Sequence, residues 1–385
     1  MFAGKSILII SPQSWGVMHL AKHHYAIELA KAGATVYFLN PPTGQHNFIS
    51  KTKISIEPAA IANLFIISHQ TAFPYRIKFH LIKLFHFFMQ WHVKSILKHI
   101  PTPIDIVWSF DIGNLIPLPY FGNKVFKIFM PVDEPLVPQA IEAAKGADFM
   151  FSITHEILEK YQAFNVPKHF IHHGLSQEFI NNSTIKNIQN KRIHVGMSGN
   201  WLRTDIDVPI LKQIIGDNPN ITFELWGSYT AKQSNISGGT DADASDFVAY
   251  ITQAPNVKLH GPVHTAALAH AIQSMDAFLI CYDILKDQSK GTNYHKIMEY
   301  LSTGKVIISN NVSTYATMPT MITMTAERTH NNALPELFHN VITNLDYYNN
   351  TSSMNQRLAF AHSNTYTNHI NNIQSICMLH YHLNN

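Results

Sequence analysis

The chain has 385 residues, 46% hydrophobic and 14% charged, with a formal net charge of +3. That length exceeds one small core, so two domains are expected, and the composition excludes a disordered chain. A balance so near neutrality carries no global polyanion signal, and no nucleic acid is expected as a partner.

Two cysteines, Cys281 and Cys377, make no disulfide framework, which fits a reducing cytoplasm. The 24 histidines are scattered without the H-E-x-x-H spacing, so no metal site is expected. No run of about 18 apolar residues exists to span a membrane. The opening MFAGKSILIISP has too short an apolar run for a signal peptide and reads as a first strand.

Ser6 to Ile10 is that strand, ended by Ser11-Pro12. The loop Gln13-Ser14-Trp15-Gly16 leads to a helix that starts near Met18 and closes at Gly33, with Ala21, Tyr25 and Leu29 on one face. Thr35 to Leu39 is a second strand, stopped by Asn40-Pro41-Pro42. This is a βαβ opening without the G-x-G-x-x-G of a dinucleotide site. Residues 76–100 are dense in large apolar side chains, and every charge is positive: Arg76, Lys78, Lys83, Lys94 and Lys98. Two readings fit this segment, a basic amphipathic helix in a membrane interface or a long core helix with a solvated basic edge.

Asp105 to Phe110 and Val125 to Met130 are further strands, followed by Asp111-Ile112-Gly113 and Pro131-Val132-Asp133-Glu134-Pro135. A carboxylate just past the carboxyl end of a parallel strand lies where ligand crevices form. Asp133 is the first candidate and Asp111 the second, although Asp133 could equally cap a helix starting near Leu136. The strand in Ala147 to Ile153 ends at Thr154, which would cap the next helix one-sidedly because Ile157 holds the capping-box position. His169 to Gly174 is a strand running into a glycine, and the polar stretch Asn181 to Arg192 reads as an interdomain linker.

The second half opens with a strand at Ile193 to Met197 and the loop Ser198-Gly199-Asn200-Trp201-Leu202-Arg203. Thr222 to Gly227 is a strand ending in glycine, and residues 228–254, with the acidic pair Asp241 and Asp243, read as a mobile polar excursion. A strand at Val257 to Pro262, a helix at His264 to Ser274 and a buried strand at Ala277 to Tyr282 follow. The loop Asp283 to Asn293 then feeds a helix on which Tyr294, Ile297, Met298 and Leu301 share one apolar face. Lys296 and Glu299 fall on its polar face, Gly304 at its C′ position, and Val306 to Ile308 in a buried strand. Such a helix start favours anions. Past Met321 two or three helices finish the chain, the last near Ser363 to Leu379.

The run Lys296, Glu299-Tyr300-Leu301, Gly304-Lys305 and Ile307-Ile308 resembles the C-terminal signature of GT-B glycosyltransferases, especially family 4. Trp15-Gly16, a helix and a strand ending Asn40-Pro41-Pro42 resemble the start of bacterial polysaccharide glycosyltransferases. The resemblance implies an α/β chain of two Rossmann-like domains facing an interdomain cleft. Residues 1–180 would bind the acceptor, 181–192 link, 193–362 bind the donor, and 363–385 form a helix crossing back. It implies that Glu299 holds the donor ribose, that Gly199 and Asn200 admit the donor to the backbone, and that Arg203 with Lys296 or Lys290 offsets the diphosphate. Lys290, Thr292 and Asn293 would face the phosphates or sugar, and Asp133 would be the general base. Trp15, Gly16, His19, Asp111 and His173 would line the acceptor side.

The implied reaction moves a sugar from a UDP- or GDP-sugar, without cofactor, to a hydroxyl of a glycan or lipid-linked acceptor. The implied setting is bacterial surface polysaccharide synthesis, in the cytoplasm or on the inner face of the cytoplasmic membrane, with membrane contact through residues 76–100. The family's second glutamate, eight residues before Glu299, is Gly291 here, and the aspartate expected after Gly174 is absent. Two alternatives stand beside this reading: a nucleotide-sugar epimerase of the same fold, and a catalytically silent scaffold that binds partners or membrane.

Overall fold

The computed structural model describes residues 1–16, 19–44, 47–49, 51–184, 191–230 and 242–383. They form two compact units, Met1–His172 with the chain from Tyr366 onward, and His173–Thr365. The expected helix start near Met18 and half of the expected linker, 185–190, lie outside the described residues.

Among the described residues the first unit holds one eight-stranded sheet. Its strands are β1 (Ser6–Ile10), β2 (Thr35–Leu39), β3 (Lys53–Pro58), β4 (Leu64–Gln70), β5 (Ile106–Ser109), β6 (Phe126–Phe129), β7 (Phe149–Ser152) and β8 (Lys168–Phe170). They lie in the order β3-β4-β2-β1-β5-β6-β7-β8. All pairs are parallel except the β3/β4 hairpin. Side chains alternate across a strand, so the sheet feeds two cores. Ile7, Ile9, Val36, Phe38 and Trp108 face the helices Ala21–Lys31 and Tyr366–Leu383, which contribute Tyr25, Leu29, Ile370 and Ile373. Leu8, Ile10, Tyr37 and Val107 face the helix Ile82–His99 through Phe85, Met89, Val93 and Ile96. Thr154 caps the helix His155–Lys160 by accepting from Ile157 N at 3.0 Å, with no reciprocal bond.

The second unit is a six-stranded parallel sheet of β9 (His194–Ser198), β10 (Thr222–Trp226), β11 (Val257–Gly261), β12 (Ala277–Ile280), β13 (Val306–Ser309) and β14 (Thr323–Met324). Their order is β11-β10-β9-β12-β13-β14. Residues 173–180, expected in the first domain, belong here: Phe179 packs with Ala269 and Ile272, and Leu175 bridges Thr365. The polar excursion is corrected in part. Ala242–Gln253 is a helix that buries Ala244, Phe247 and Ile251, an i, i+3, i+7 stripe, whereas 231–241 lie outside the described residues. Arg357, on the helix Thr351–Ser363, is buried and donates to the carbonyls of Thr320, Gly304 and Tyr348 at 2.8–2.9 Å, which ties the closing helices to the turn before β13.

Candidate functional site

In the second sheet the strand order reverses between β9 and β12, and ligand crevices form at the carboxyl ends of such a pair. The loop after β9 and the chain after β12 meet there. Asp283 N donates to Asp205 O at 2.8 Å, and the Arg203 guanidinium lies 5.6 Å from the Tyr282 ring centre. Two side chains of the short helix Lys296–Leu301 clasp the loop from the other side. Lys296 Nζ donates to Ser198 O and, at 2.6 Å, to Tyr282 Oη. Tyr300 Oη accepts from Ser198 N at 2.6 Å and bonds Ser198 Oγ at 2.8 Å.

This corrects the one-sided helix expected from the apolar spacing. The helix has six residues and buries Lys296, Ile297, Met298, Tyr300 and Leu301, so it is packed nearly all round. Lys296 is 7% exposed, its ammonium spent on a carbonyl and a phenol. The helix also ends at Leu301, ahead of Gly304. So short a helix gives no macrodipole argument for an anion.

Glu299 follows Lys296 by one turn and is half-buried. Its carboxyl makes no hydrogen bond among the described residues. Burial raises its pKa to about 7, and the Lys296 charge pulls the other way. His295 is exposed, with the His173 ring centre 6.2 Å from its own. His173 is the first residue of the second unit.

Arg203 is less free than expected. Its Nε donates to Asp205 Oδ1 at 2.7 Å and its Nη2 to Oδ2, a bidentate pair that holds the guanidinium charged. Gly199 lies against Lys296: a Cβ there would be 3.1 Å from Nζ. Asn200 Oδ1 accepts from Leu202 N at 3.0 Å and shapes the turn.

The loop 283–293 is built around Asp287, a buried carboxylate that no spacing in the sequence singles out. It accepts from Ser289 Oγ at 2.6 Å, Gly291 N at 3.0 Å and Tyr294 Oη at 2.8 Å. Lys290 is exposed at φ +51°, and its carbonyl accepts from Arg328 Nη2 at 2.8 Å. Thr292 and Asn293 are buried at the end of the loop. Gly291 has φ +64°, and a Cβ there would be 2.7 Å from Asn311 O. A glutamate at this position would need another backbone, so the departure from the family pattern is built into the loop.

In the first unit the order reverses between β1 and β5. The loop after β1 holds Trp15, whose N donates to Asn40 Oδ1 at 2.7 Å and whose ring lies 5.0–5.3 Å from Phe38, His19 and His23. Gly16 is exposed. Lys22 is buried, donates to Gln13 Oε1, and has a pKa lowered to about 8 by burial, with Asp133 opposing. Asp133 is exposed and caps nothing, because the helix after it is Pro138–Glu142 with Val137 at its N-cap. Asp111 is corrected from a lining residue to an internal one. It is 4% exposed, and its Oδ2 accepts from Leu115 N at 2.7 Å and Ile116 N at 3.1 Å.

No protein-family model matches the sequence, and no curated protein matches it. Solved structures do match. The sucrose-phosphate synthase of Thermosynechococcus elongatus superposes with a TM-score of 0.66 at 10% identity, over 97% of this chain and 99% of its own. Trehalose-6-phosphate from E. coli bound with UDP-2-fluoro glucose gives 0.67 at 9%, over 94% and 96%. Anabaena HepE in complex with UDP and glucose gives 0.60 at 12%, over 96% and 99%. The chain is a two-domain α/β protein, with a sheet parallel but for one hairpin in the first half and a parallel sheet in the second. Its fold is GT-B.

Proposed function

We propose that this chain is a glycosyltransferase that moves a sugar from a nucleotide-sugar to an acceptor hydroxyl. The observation that carries the reading is the cluster at the switch point of the second sheet, where the Gly199 loop, Lys296 and the unbonded carboxyl of Glu299 come together. Two of the similar structures hold UDP or a UDP-sugar, which favours a UDP-sugar as donor. Glu299 accepts from the ribose hydroxyls. Arg203 and Lys296 supply positive charge where the diphosphate leaves, and that charge grows in the transition state. The bond from the sugar's anomeric carbon to the diphosphate breaks, a bond to the acceptor oxygen forms, and Asp133 takes the hydroxyl proton. The acceptor is a glycan or lipid-linked hydroxyl of bacterial surface polysaccharide synthesis.

A thermal-shift panel against UDP-, GDP-, CMP- and dTDP-sugars tests this. One donor at about 100 times its Kd should add about 2.7 kcal/mol of stability. Glu299→Ala should fold normally and weaken that donor at least about tenfold. An unchanged affinity sinks the ribose role, no shift with any donor favours a silent scaffold, and epimerised donor without acceptor assigns an epimerase. Ribose hydroxyls donate better to an ionised carboxylate, so donor affinity should rise as the pH passes through about 7, where Glu299 ionises. A flat pH profile in the parent contradicts that.

A further inference from the structure

The helix Ile82–His99 carries a second stripe, on the side away from the core, that is left exposed among the described residues. Phe85, Met89, His92, Val93 and Ile96 are buried on one side. Diametrically opposite, within an arc of about 100° at 3.6 residues per turn, lie Lys83, Leu84, Phe87, Trp91, Lys94 and Lys98, all exposed. The stripe is sorted along its length: the first half is mostly apolar, and the last half is lysine. Phe79, 70% exposed just before the helix, extends the apolar end, and Trp91 is 64% exposed in its middle. No acidic residue occurs between Glu57 and Asp105. Lys78 and Lys94 sit over aromatic rings, at 4.8 Å from Phe79 and 5.7 Å from Trp91, so cations and rings share one surface.

We propose that this face is a docking surface for an anionic lipid bilayer, into which Phe79, Leu84, Phe87 and Trp91 insert while Lys83, Lys94 and Lys98 lie on the headgroups. Large rings beside lysines with no acid among them match an interface that is apolar below and negative above. The lysines call for a negative partner and the rings for an apolar one, and an anionic bilayer supplies both without a shaped groove. Among the described residues no helix is long and apolar enough to cross a membrane, so the attachment is peripheral. The inference rests on the first unit alone and does not need the donor site.

The test is flotation of the purified chain with vesicles of phosphatidylcholine, with and without phosphatidylglycerol, alongside Trp91 emission. The parent should float with the anionic vesicles and less well as salt rises. Its emission should shift to the blue, and Trp91→Phe should remove that shift. Lys83, Lys94 and Lys98 changed together to Glu should weaken binding at least about tenfold, and Phe87→Ser with Trp91→Ser should do the same at unchanged near-UV circular dichroism. No flotation at low salt overturns the proposal, and so does binding that survives both sets of changes. A dimer lost on Phe87→Ser without vesicle binding would instead assign the face to a second copy. Glu299→Ala should float like the parent, so a failed donor assay and a failed membrane assay are read separately.

Discussion

Gly227→Ala should cost more than about 3 kcal/mol and abolish stabilisation by any nucleotide-sugar. Gly227 follows β10 at φ +117°, where an L side chain is strained at a cost of about 1–3 kcal/mol. The clash with neighbouring backbone costs more than the strain. An added Cβ would sit 1.7 Å from Gly199 O and 2.8 Å from Gly199 C, so backbone has to move. It is pinned on both sides, because Gly199 N donates to Trp226 O at 3.0 Å and Gly227 N to Gly261 O at 2.8 Å. Moving Gly199 displaces the strand end whose carbonyl and amide Lys296 and Tyr300 hold. Gly216→Ala is the matched control. It lies in the helix Val208–Asp217 with only Tyr250 Oη near, at 3.5 Å, so it should be neutral or stabilise by up to about 1 kcal/mol. Chemical denaturation of both variants, with thermal shift against UDP-sugars, reads the contrast. A Gly227→Ala as stable as Gly216→Ala would mean the two loops do not approach in this way.

That contrast shows what a sequence can and cannot disclose. The glycine at the end of Thr222–Gly227 is visible as a strand stop, but its neighbour across the sheet is 28 residues away in the chain and invisible. Continuous apolar runs such as SILII, TVYFL and VIIS mark buried parallel strands because both sheet faces are covered. The β3/β4 hairpin is hard to see because its half-exposed residues alternate weakly beside prolines. Glu299 is legible through its signature, whereas the burial of Lys296 is not. Periodicity assumes a helix with one wet face, and this helix lies between its own sheet and the helix Thr351–Ser363, with Lys296 turned onto the Ser198 carbonyl. Asp111 shows the same limit: a carboxylate after a strand reads as a ligand contact, and whether it turns inward to hold a loop, as Asp287 also does, is decided by amide groups that no spacing reveals.

The first unit, with four buried histidines, should unfold in mild acid, near pH 5, before the second, in which desolvation lowers the pKa of His295 to about 4. The buried histidines among the described residues are His23, His69, His92 and His369, all in the first unit. Burial lowers their pKa values to about 4, 4, 3 and 3 respectively, with the His69 charge adding to the effect on His92. Their partners agree with neutral rings. His69 Nε2 donates to Asn40 O at 2.8 Å, so its Nδ1 accepts from His92 Nε2 at 2.7 Å, and the nitrogen left to be protonated, His92 Nδ1, is buried with no partner. Below the ordinary histidine value of about 6.5 the unfolded chain binds protons that the folded one refuses, so stability is complete above that pH and falls as pH drops towards 4. At pH 5 a ring held to about 4 withholds roughly 2 kcal/mol, and because His69 and His92 share one hydrogen bond and do not count separately, the group withholds several kcal/mol, a large part of the 5–15 kcal/mol total of an ordinary domain. An acid titration followed by hydrogen exchange in each unit separates them, with Trp108, buried in the first unit, as an optical reporter. His69→Leu with His92→Phe removes both polar partners together and should move the first transition to lower pH. A first unit as protected at pH 4.5 as at pH 7, or a transition the double variant leaves in place, would show that these rings do not set its acid limit.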